Sequence, residues 1–363
     1  VPIVVISTSL RGLIEAAQRF DIVNMVKIPG SILVFILPIV GIFLGYNLPG
    51  IITLIMLSRI AVAFLYLFFS FKIFEQLRRT LLVSKGILKS LFNFGVWVTI
   101  CNILIPILVS LDRFVIGHII SMSAVAYYTA PSEVVWKLLI VPGIIATTVF
   151  PSFSFLAGVD TKRLENLYAR TLKYIIIVLG PVSIIAVLFA NEILSLWLGK
   201  DFALHSFRVF QILAIGMFLN SLAQMPANLL DGIGKPDLRA KIFILYTPIY
   251  VCLLWILTHG YGIDGTAMAW TLRAGLELFL FFVITAKILN IKIPAFLENG
   301  LTKSLKAFAL YGIFSLATLP IKEPILKIIL ISVLLISFII YIWKDVFDIE
   351  EKSFLVKIIM RHS

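Results

Sequence analysis

The amino-acid sequence predicts an all-α membrane protein that crosses the bilayer many times. Three observations support this fold class. Of the 363 residues, 61% are hydrophobic and 14% are charged, whereas a soluble domain carries about 25% charged residues. Apolar runs long enough to cross a bilayer follow one another along the chain, and basic residues gather in alternate loops between them. These observations exclude a soluble enzyme, a disordered protein and a nucleic-acid-binding protein.

Candidate spans follow an apolar stub at the N-terminus. A spanning helix needs about 20 mostly apolar residues. The candidate at 124–156 is too long for one straight helix, and Pro131, Pro142 and Pro151 predict a bend or a broken end within it. The full set of candidates is 29–46, 50–72, 92–117, 124–156, 170–198, 207–230, 240–258, 264–289, 304–320 and 324–343.

The positions of the basic residues predict the orientation in the membrane. Most of the 31 Lys and Arg residues lie in alternate loops, beginning with 11–27 and 72–89 and ending with the tail after 343. The loops between them contribute Lys200 and Lys322. Because cytoplasmic loops are enriched in Lys and Arg, we expect a multi-pass protein of the cell (inner) membrane with a cytoplasmic C-terminus.

Two segments of the chain resemble each other. GIITLIMLSRIAVAFLYLFFSFKI at 50–73 resembles GTAMAWTLRAGLELFLFFVITAKI at 265–288, and Arg59 corresponds to Arg273 at an offset of 214, one less than the 215 that separates the two segments. Apolar helices can look alike by chance, but the mid-helix arginine and the flanking charges keep one register to within one residue. Parallel repeats of this kind occur in transporters. The repeat predicts three parts: 1–85, the C-terminal half of a first lobe with a cytoplasmic linker; 86–290, a second lobe of six helices; and 291–363, two additional helices and a tail.

Two arginines inside predicted spans are the first candidate functional residues, since a charge at mid-bilayer costs about 2.5–3.5 kcal/mol. Arg59 and Arg273 each lie deep in their helices, and the forked guanidinium is suited to donate hydrogen bonds to an anionic group. Glu277 follows Arg273 by one helical turn and is expected to neutralise it in part. A structural salt bridge between helices is the alternative for both arginines.

Four further charges lie in the second half. Glu133 and Lys137 have the spacing of an ion pair on one helix face, between two prolines. They are either a neutral internal ion pair or, in a bent helix, a proton-responsive switch or a headgroup contact. Asp112 and Arg113 are expected near the outer end of their helix, where charged side chains reach toward the lipid headgroups.

The sequence offers no constellation for catalysis or for metal binding. Cys101 and Cys252 lie inside apolar runs, and the four histidines lie in separate loops and in the tail. GIGK at 232–235 is too short for a phosphate-binding loop. We therefore predict that the protein is not an enzyme and has neither a cofactor nor a metal site.

Several stretches resemble one family of membrane proteins, the oligosaccharide flippases, which form the polysaccharide-transporter branch of the MOP superfamily. Multidrug extruders and the lipid II flippase belong to the same superfamily. The resemblance covers essentially the whole chain but lacks the first helices of the family, so we expect a fragment that begins within a longer protein. The stretches are RGLIEAAQRFDIVNMVKIPGSILVFILPIVG (11–41), FNFGVWVT (92–99), SLDRFVIG (110–117), AVAYYTAPSEVV (124–135) and VFPSFSFLAG (149–158).

The resemblance implies two pseudo-symmetric six-helix lobes around a central cavity that opens alternately to the two sides of the membrane. It implies a cargo of polyprenyl-diphosphate-linked oligosaccharide, moved from the cytoplasmic to the outer leaflet for cell-envelope polysaccharide biosynthesis. The expected partners are this cargo, membrane lipids and a polysaccharide polymerase, without nucleic acid. On this reading, Arg59, Arg273, Arg113 and Lys137 bind substrate, and Glu133, Glu277 and Asp112 serve coupling or ion pairing.

Two other functions stay open at this stage. A cation-coupled multidrug extruder of the same superfamily would have a mainly apolar or acidic cavity, whereas arginines favour an anionic cargo. A membrane-embedded glycosyltransferase or ligase would need catalytic carboxylates or a large outer loop, and the predicted outer loops are short.

Overall fold

The computed structural model describes residues 2–74, 85–291, 300–321, 323–349 and 351–353. The regular elements in these ranges are all helices, and eight helical segments are long and apolar enough to cross a membrane. The predicted fold class, an all-α polytopic membrane protein, is confirmed. The chain forms two compact units, Val1–Lys89 and Ser90–Ser363. The basic loop residues Arg78 and Arg79 lie outside the described residues.

The described residues of the first unit before position 75 form helices α1 (Pro2–Ala16), α2 (Phe20–Phe43) and α3 (Leu48–Ile73). Helix α3 packs against both α1 and α2. The basic stretch at 11–27, predicted as a loop, is mostly helical, with a break at 17–19. Ile14, Val23 and Val26 of this stretch are buried, and the burial of one apolar face favours helices over a loop. The buried apolar core of this unit is Ile14, Val23, Val26 and Tyr66.

The second unit is built around one long central helix. Helix α9 packs against α5, α6, α7, α8 and α10, while α11 covers α7 and α12 packs on α11. In chain order the helices are α4 (Lys85–Ile119), α5 (Met122–Leu138), α6 (Ile140–Ala157), α7 (Thr161–Leu188), α8 (Ala190–Leu198), α9 (Lys200–Gly232), α10 (Pro236–Leu289), α11 (Leu301–Leu316) and α12 (Pro324–Tyr341), followed by a π-helical turn (Ile342–Val346).

Two predicted spans are each divided into two helices. The segment at 124–156 breaks at Leu139, and Pro142 then lies in the first turn of α6, where a missing N–H costs no helical hydrogen bond. The segment at 170–198 breaks at Phe189, between α7 and α8. The buried Lys327 of α12 donates a hydrogen bond to the Leu188 carbonyl oxygen (2.9 Å) and so satisfies the end of α7.

Helix α10 is a hairpin with almost no loop. Its 54 residues would extend about 80 Å if straight, far more than a bilayer is thick. The reversal occurs at Gly262, whose φ of 61° and ψ of −139° suit glycine alone. Thr258 and Thr266 share a hydrogen bond (2.9 Å) across it. The predicted spans at 240–258 and 264–289 are therefore the two arms of one unit.

The span predicted at 304–320 is shorter in the structure. Helix α11 has 16 residues, fewer than the about 20 that a perpendicular crossing needs. It ends at Leu316, shortly before Pro320, which disfavours helical geometry in the residue that precedes it.

Candidate functional sites

Arg273 is buried in the second unit and pairs with Glu277, as predicted from their spacing. Their side chains are 8% and 10% exposed, and the closest Arg273 Nη1–Glu277 Oε2 distance is 3.9 Å. The guanidinium also lies over the rings of Tyr250 (5.2 Å) and Trp270 (5.9 Å). Aromatic faces attract cations at such distances. The arginine is thus held by one carboxylate and two rings.

This pair leaves hydrogen-bonding capacity unused inside the unit. Arg273 Nε, Glu277 Oε2 and the Tyr246 hydroxyl are all buried, and none has a hydrogen-bond partner among the described residues. Buried polar atoms are normally satisfied, so such atoms call for a ligand, water or a second conformation. The Arg273–Glu277 pair is therefore a functional candidate rather than a closed structural bridge.

Asp112 lies next to this pair, and its expected position at the lipid headgroups is wrong. The residue is 3% exposed. Its carboxylate accepts hydrogen bonds from the hydroxyls of Tyr128 (2.7 Å) and Tyr250. The physical reason is packing: helices α5 and α10 each place a tyrosine against α4, so the carboxylate is satisfied inside the unit and does not extend to the surface.

The predicted Glu133–Lys137 pair is replaced by another. Arg113 Nη2 donates to Glu133 Oε1 at 2.9 Å, with side chains 37% and 49% exposed. The long arginine reaches Glu133 from α4, and Lys137, one turn further along α5, stays exposed. Arg113 and Asp112 are neighbours in the sequence but make different contacts. Arg113 forms an ion pair with Glu133, whereas Asp112 accepts hydrogen bonds from two tyrosines.

Arg59 lies in the first unit and is exposed. It lines a groove of about 310 Å³ between α1, α2 and α3, together with other polar side chains that include Lys27 and Tyr66. No ion pair to Arg59 forms within the described part of the chain. The two arginines that the repeat aligns therefore have different surroundings, one open and one buried.

Sequence reasoning misses several residues that the structure brings into these sites. The position of Tyr128 close to a span end favours a place at the membrane interface, but the residue is fully enclosed beside Asp112. Tyr246 and Tyr250 are one helical turn apart, a spacing that could have indicated a buried tyrosine face. Asp231, near the C-terminal end of α9, forms an ion pair with Arg239. No group of His, Cys, Asp and Glu that could hold a metal occurs in the described ranges.

Two solved structures share this fold. An outward-facing multidrug resistance MATE family transporter of the MOP superfamily matches with a TM-score of 0.67 and 20% identity, over 79% of this chain and 66% of that one. The lipid II flippase MurJ, in an inward closed conformation, matches with a TM-score of 0.57 and 12% identity, over 94% and 72%. At these identities the likeness concerns the fold.

Two curated proteins are similar to this chain in sequence. A Shigella flexneri protein named "Putative O-antigen transporter" is 29% identical over 77% of this chain and 66% of its own length. A Haloferax volcanii protein named "Probable low-salt glycan biosynthesis flippase Agl15" is 23% identical over 56% and 43%. The chain thus spans between about two fifths and two thirds of the length of these relatives.

A family model described as "Polysaccharide biosynthesis protein" matches residues 2–206. This match covers more than half of the chain and runs through both units. It confirms the resemblance to a polysaccharide-related family that the sequence motifs indicate. The chain belongs to the polysaccharide biosynthesis protein family.

Proposed function

We propose that this chain is part of a flippase that moves polyprenyl-diphosphate-linked oligosaccharide from the cytoplasmic to the outer leaflet by alternating access. A diphosphate and a sugar cannot cross hydrocarbon unaided, because burying unpaired charge and unsatisfied hydroxyls costs many kcal/mol. A hydrated cationic cavity lowers that barrier while the lipid tail stays in the bilayer. The names of the curated relatives, an O-antigen transporter and a glycan biosynthesis flippase, support this cargo class.

One observation supports an anionic cargo best. Arg59 lies near the middle of a 26-residue spanning helix, is exposed, and forms no ion pair with the residues described. An arginine at this depth is costly unless it meets an anion or water. A cargo with a diphosphate supplies the anion, whereas a cationic drug would be repelled.

The other candidate residues fit the same proposal. Arg273 binds the cargo when its weak contact with Glu277 opens, and Lys137 and Arg113 supply further positive charge beside Glu133. Asp112 and Glu277 are the carboxylates through which an ion or proton gradient would act on the second unit. The protein is not an enzyme in this proposal; it lies in the cell membrane with a cytoplasmic C-terminus, and it passes its cargo to a polymerase.

Export measured in cells separates this function from drug extrusion. The gene that encodes this chain should restore polysaccharide export to a strain that lacks its own flippase. Export, normalised to the inserted protein, should fall partially in Arg59→Lys and further in Arg59→Ala. Arg273 variants should be less affected, since Glu277 already engages that arginine. Drug resistance without restored export would instead identify a multidrug extruder.

A further inference from the structure

The groove in the first unit contains three cations that come from three different helices. Arg11 is on α1, Lys27 on α2 and Arg59 on α3, and all three line the same cavity of about 310 Å³. Small-molecule sites occupy about 300–1,000 Å³, so the groove has room for a headgroup but not for a whole oligosaccharide. Hydroxyl side chains line it as well, from Ser7, Thr8, Ser31, Ser58 and Tyr66.

The close contact between α2 and α3 places Lys27 and Arg59 at different depths along the helix axes. Helices α2 and α3 approach at Gly30, where an added Cβ would lie 2.7 Å from Val62 Cγ2. Lys27 precedes Gly30 by one turn and Arg59 precedes Val62 by one turn. Because α2 and α3 run in opposite directions, one cation lies on each side of the contact, about 9 Å apart along the helix axes at 1.5 Å per residue. Both side chains are long enough to converge on one ligand between them.

The charges in the groove match a diphosphate. Arg11 is already engaged by Glu15, with an Nε–Oε1 distance of 3.0 Å. Lys27 and Arg59 form no ion pair with the described residues, so two uncompensated positive charges remain. A diphosphate that links a lipid to a sugar carries two negative charges at neutral pH, one on each phosphate.

Tyr66 gives the groove a fixed hydrogen-bond donor. The residue is 3% exposed and belongs to the apolar core of the unit, and yet it lines the groove. No described residue accepts a hydrogen bond from its hydroxyl. A buried ring beside the cavity with an unused hydroxyl donor is suited to an acceptor bound there, and phosphate oxygens accept strongly.

We infer that this groove is a diphosphate-binding subsite in which Lys27 and Arg59 each hold one phosphate, with Tyr66 as a donor and Arg11 at the cytoplasmic side. The subsite rests on the proposed function and extends it to Arg11, Lys27 and Tyr66. Since Lys27 lies nearer the cytoplasmic end of its helix than Arg59 does of its own, a diphosphate that enters from the cytoplasm meets Lys27 first. Passing to Arg59 then advances the headgroup toward the bilayer centre.

Binding to the purified chain in detergent tests this inference. The probes are farnesyl diphosphate, inorganic pyrophosphate and phosphatidylglycerol, each titrated against wild type and variants by calorimetry. Hydrogen bonds to charged groups contribute about 1.5–3 kcal/mol, so Lys27→Gln and Arg59→Gln should each weaken farnesyl diphosphate binding about tenfold to a hundredfold. Lys27→Glu should abolish it, and Tyr66→Phe should weaken it less. Inorganic pyrophosphate should show the same ranking with lower affinity, since it lacks the lipid.

A matched control removes a cation of α3 outside the groove. Lys72 is exposed in the last turn of that helix and does not line the cavity. Lys72→Gln should bind farnesyl diphosphate as wild type does, and all exposed-site variants should keep the wild-type thermal midpoint. Unchanged binding in both Lys27→Gln and Arg59→Gln, or an equal loss in Lys72→Gln, would overturn the subsite. Displacement of farnesyl diphosphate by equimolar phosphatidylglycerol would make it a general anionic-lipid site and equally overturn it.

The export assay separates this inference from the proposed function. Groove-dependent diphosphate binding in a protein that restores drug resistance but not export would retain the subsite and reject the flippase. If export is restored but diphosphate binding does not depend on Lys27 and Arg59, the flippase function stands and the proposed subsite is wrong.

Discussion

A buried ion pair between Lys173 and Glu351 joins the C-terminal segment to α7. Lys173 Nζ lies 2.7 Å and 2.8 Å from the two carboxylate oxygens of Glu351, and the side chains are 1% and 7% exposed. The Tyr174 hydroxyl donates to the same carboxylate at 2.6 Å, and the backbone N–H of Asp348 donates at 3.0 Å. Glu351→Gln is the informative change, because it keeps the shape and removes the charge.

The expected cost follows from the burial of Lys173. Removing one partner of a buried pair destabilises by about 3–5 kcal/mol, because the other charge stays buried and uncompensated. The amide that replaces the carboxylate in Glu351→Gln still accepts a hydrogen bond, so we expect the lower end, about 3 kcal/mol. Replacing both partners with apolar residues of similar size, as in Lys173→Met with Glu351→Leu, should recover most of the loss, since no isolated charge remains.

The cost should also depend on pH. Burial raises the pKa of the Glu351 carboxyl, but hydrogen bonds from Lys173, Tyr174 and the Asp348 N–H outweigh it, so its pKa lies below its usual value. A lowered pKa adds stability above the unfolded-state pKa, about 4.3 for Glu, and that stability is lost as pH falls through the folded-state pKa. The difference between wild type and Glu351→Gln should therefore be constant from about pH 8 to pH 5.5 and shrink below about pH 4.

Denaturant titration in detergent gives the free energy of unfolding, and hydrogen exchange of the backbone at 342–349 reports the local docking. Wild type, Glu351→Gln and the double apolar variant are compared at pH 7 and pH 4. A loss below about 1 kcal/mol in Glu351→Gln, the range of an exposed pair, would refute the reasoning. A double variant no more stable than the single one would refute it too, since the cost would then not come from the stranded lysine.

Three other expectations concern the second unit and the topology. Tyr250→Phe leaves the buried Asp112 carboxylate short of one donor and should lower the unfolding free energy by about 1–3 kcal/mol, measured by denaturant titration. Gly216→Ala places a Cβ 2.5 Å from a tryptophan ring and should cost about 1–3 kcal/mol, whereas Gly143→Ala meets nothing within 4 Å and should be neutral in the same assay. A cysteine at the position of Glu165 should react with a membrane-impermeant thiol reagent from the cytoplasmic side alone. Labelling of this cysteine in intact cells would show that the predicted orientation is wrong.

The sequence predicts those features of this protein that depend on local spacing. The Arg273–Glu277 pair follows from one helical turn, and the break near Pro142 follows from what proline does to a helix. Contacts between helices cannot be foreseen in this way. Arg113 meets Glu133 across 20 positions, and Tyr250 reaches Asp112 across 138 positions. Both depend on how α4, α5 and α10 pack, which hydropathy does not encode.

Contacts between helices, which the sequence does not predict, also explain why Arg59 and Arg273 differ in burial. Their helices resemble each other in sequence, and so the repeat gives equal status to Arg59 and Arg273. Burial is decided by neighbouring helices: Arg273 lies under the rings of Tyr250 and Trp270, and Arg59 lies beside an open groove. The Lys173–Glu351 pair, with partners 178 positions apart, escapes prediction for the same reason.

The loopless turn of α10 has a consequence for how this protein enters the membrane during synthesis. An added Cβ at Gly265 would overlap the Leu257 carbonyl oxygen, so the two arms touch as soon as the turn forms. We expect such an arm pair to leave the translocon as one helical hairpin rather than as two separate spans. Arg273 and Glu277 lie one turn apart on the second arm and so enter the lipid together as a near-neutral pair, which lowers the insertion cost of about 2.5–3.5 kcal/mol that each charge would bear alone. An epitope tag placed in this turn would separate the arms and hinder membrane integration itself.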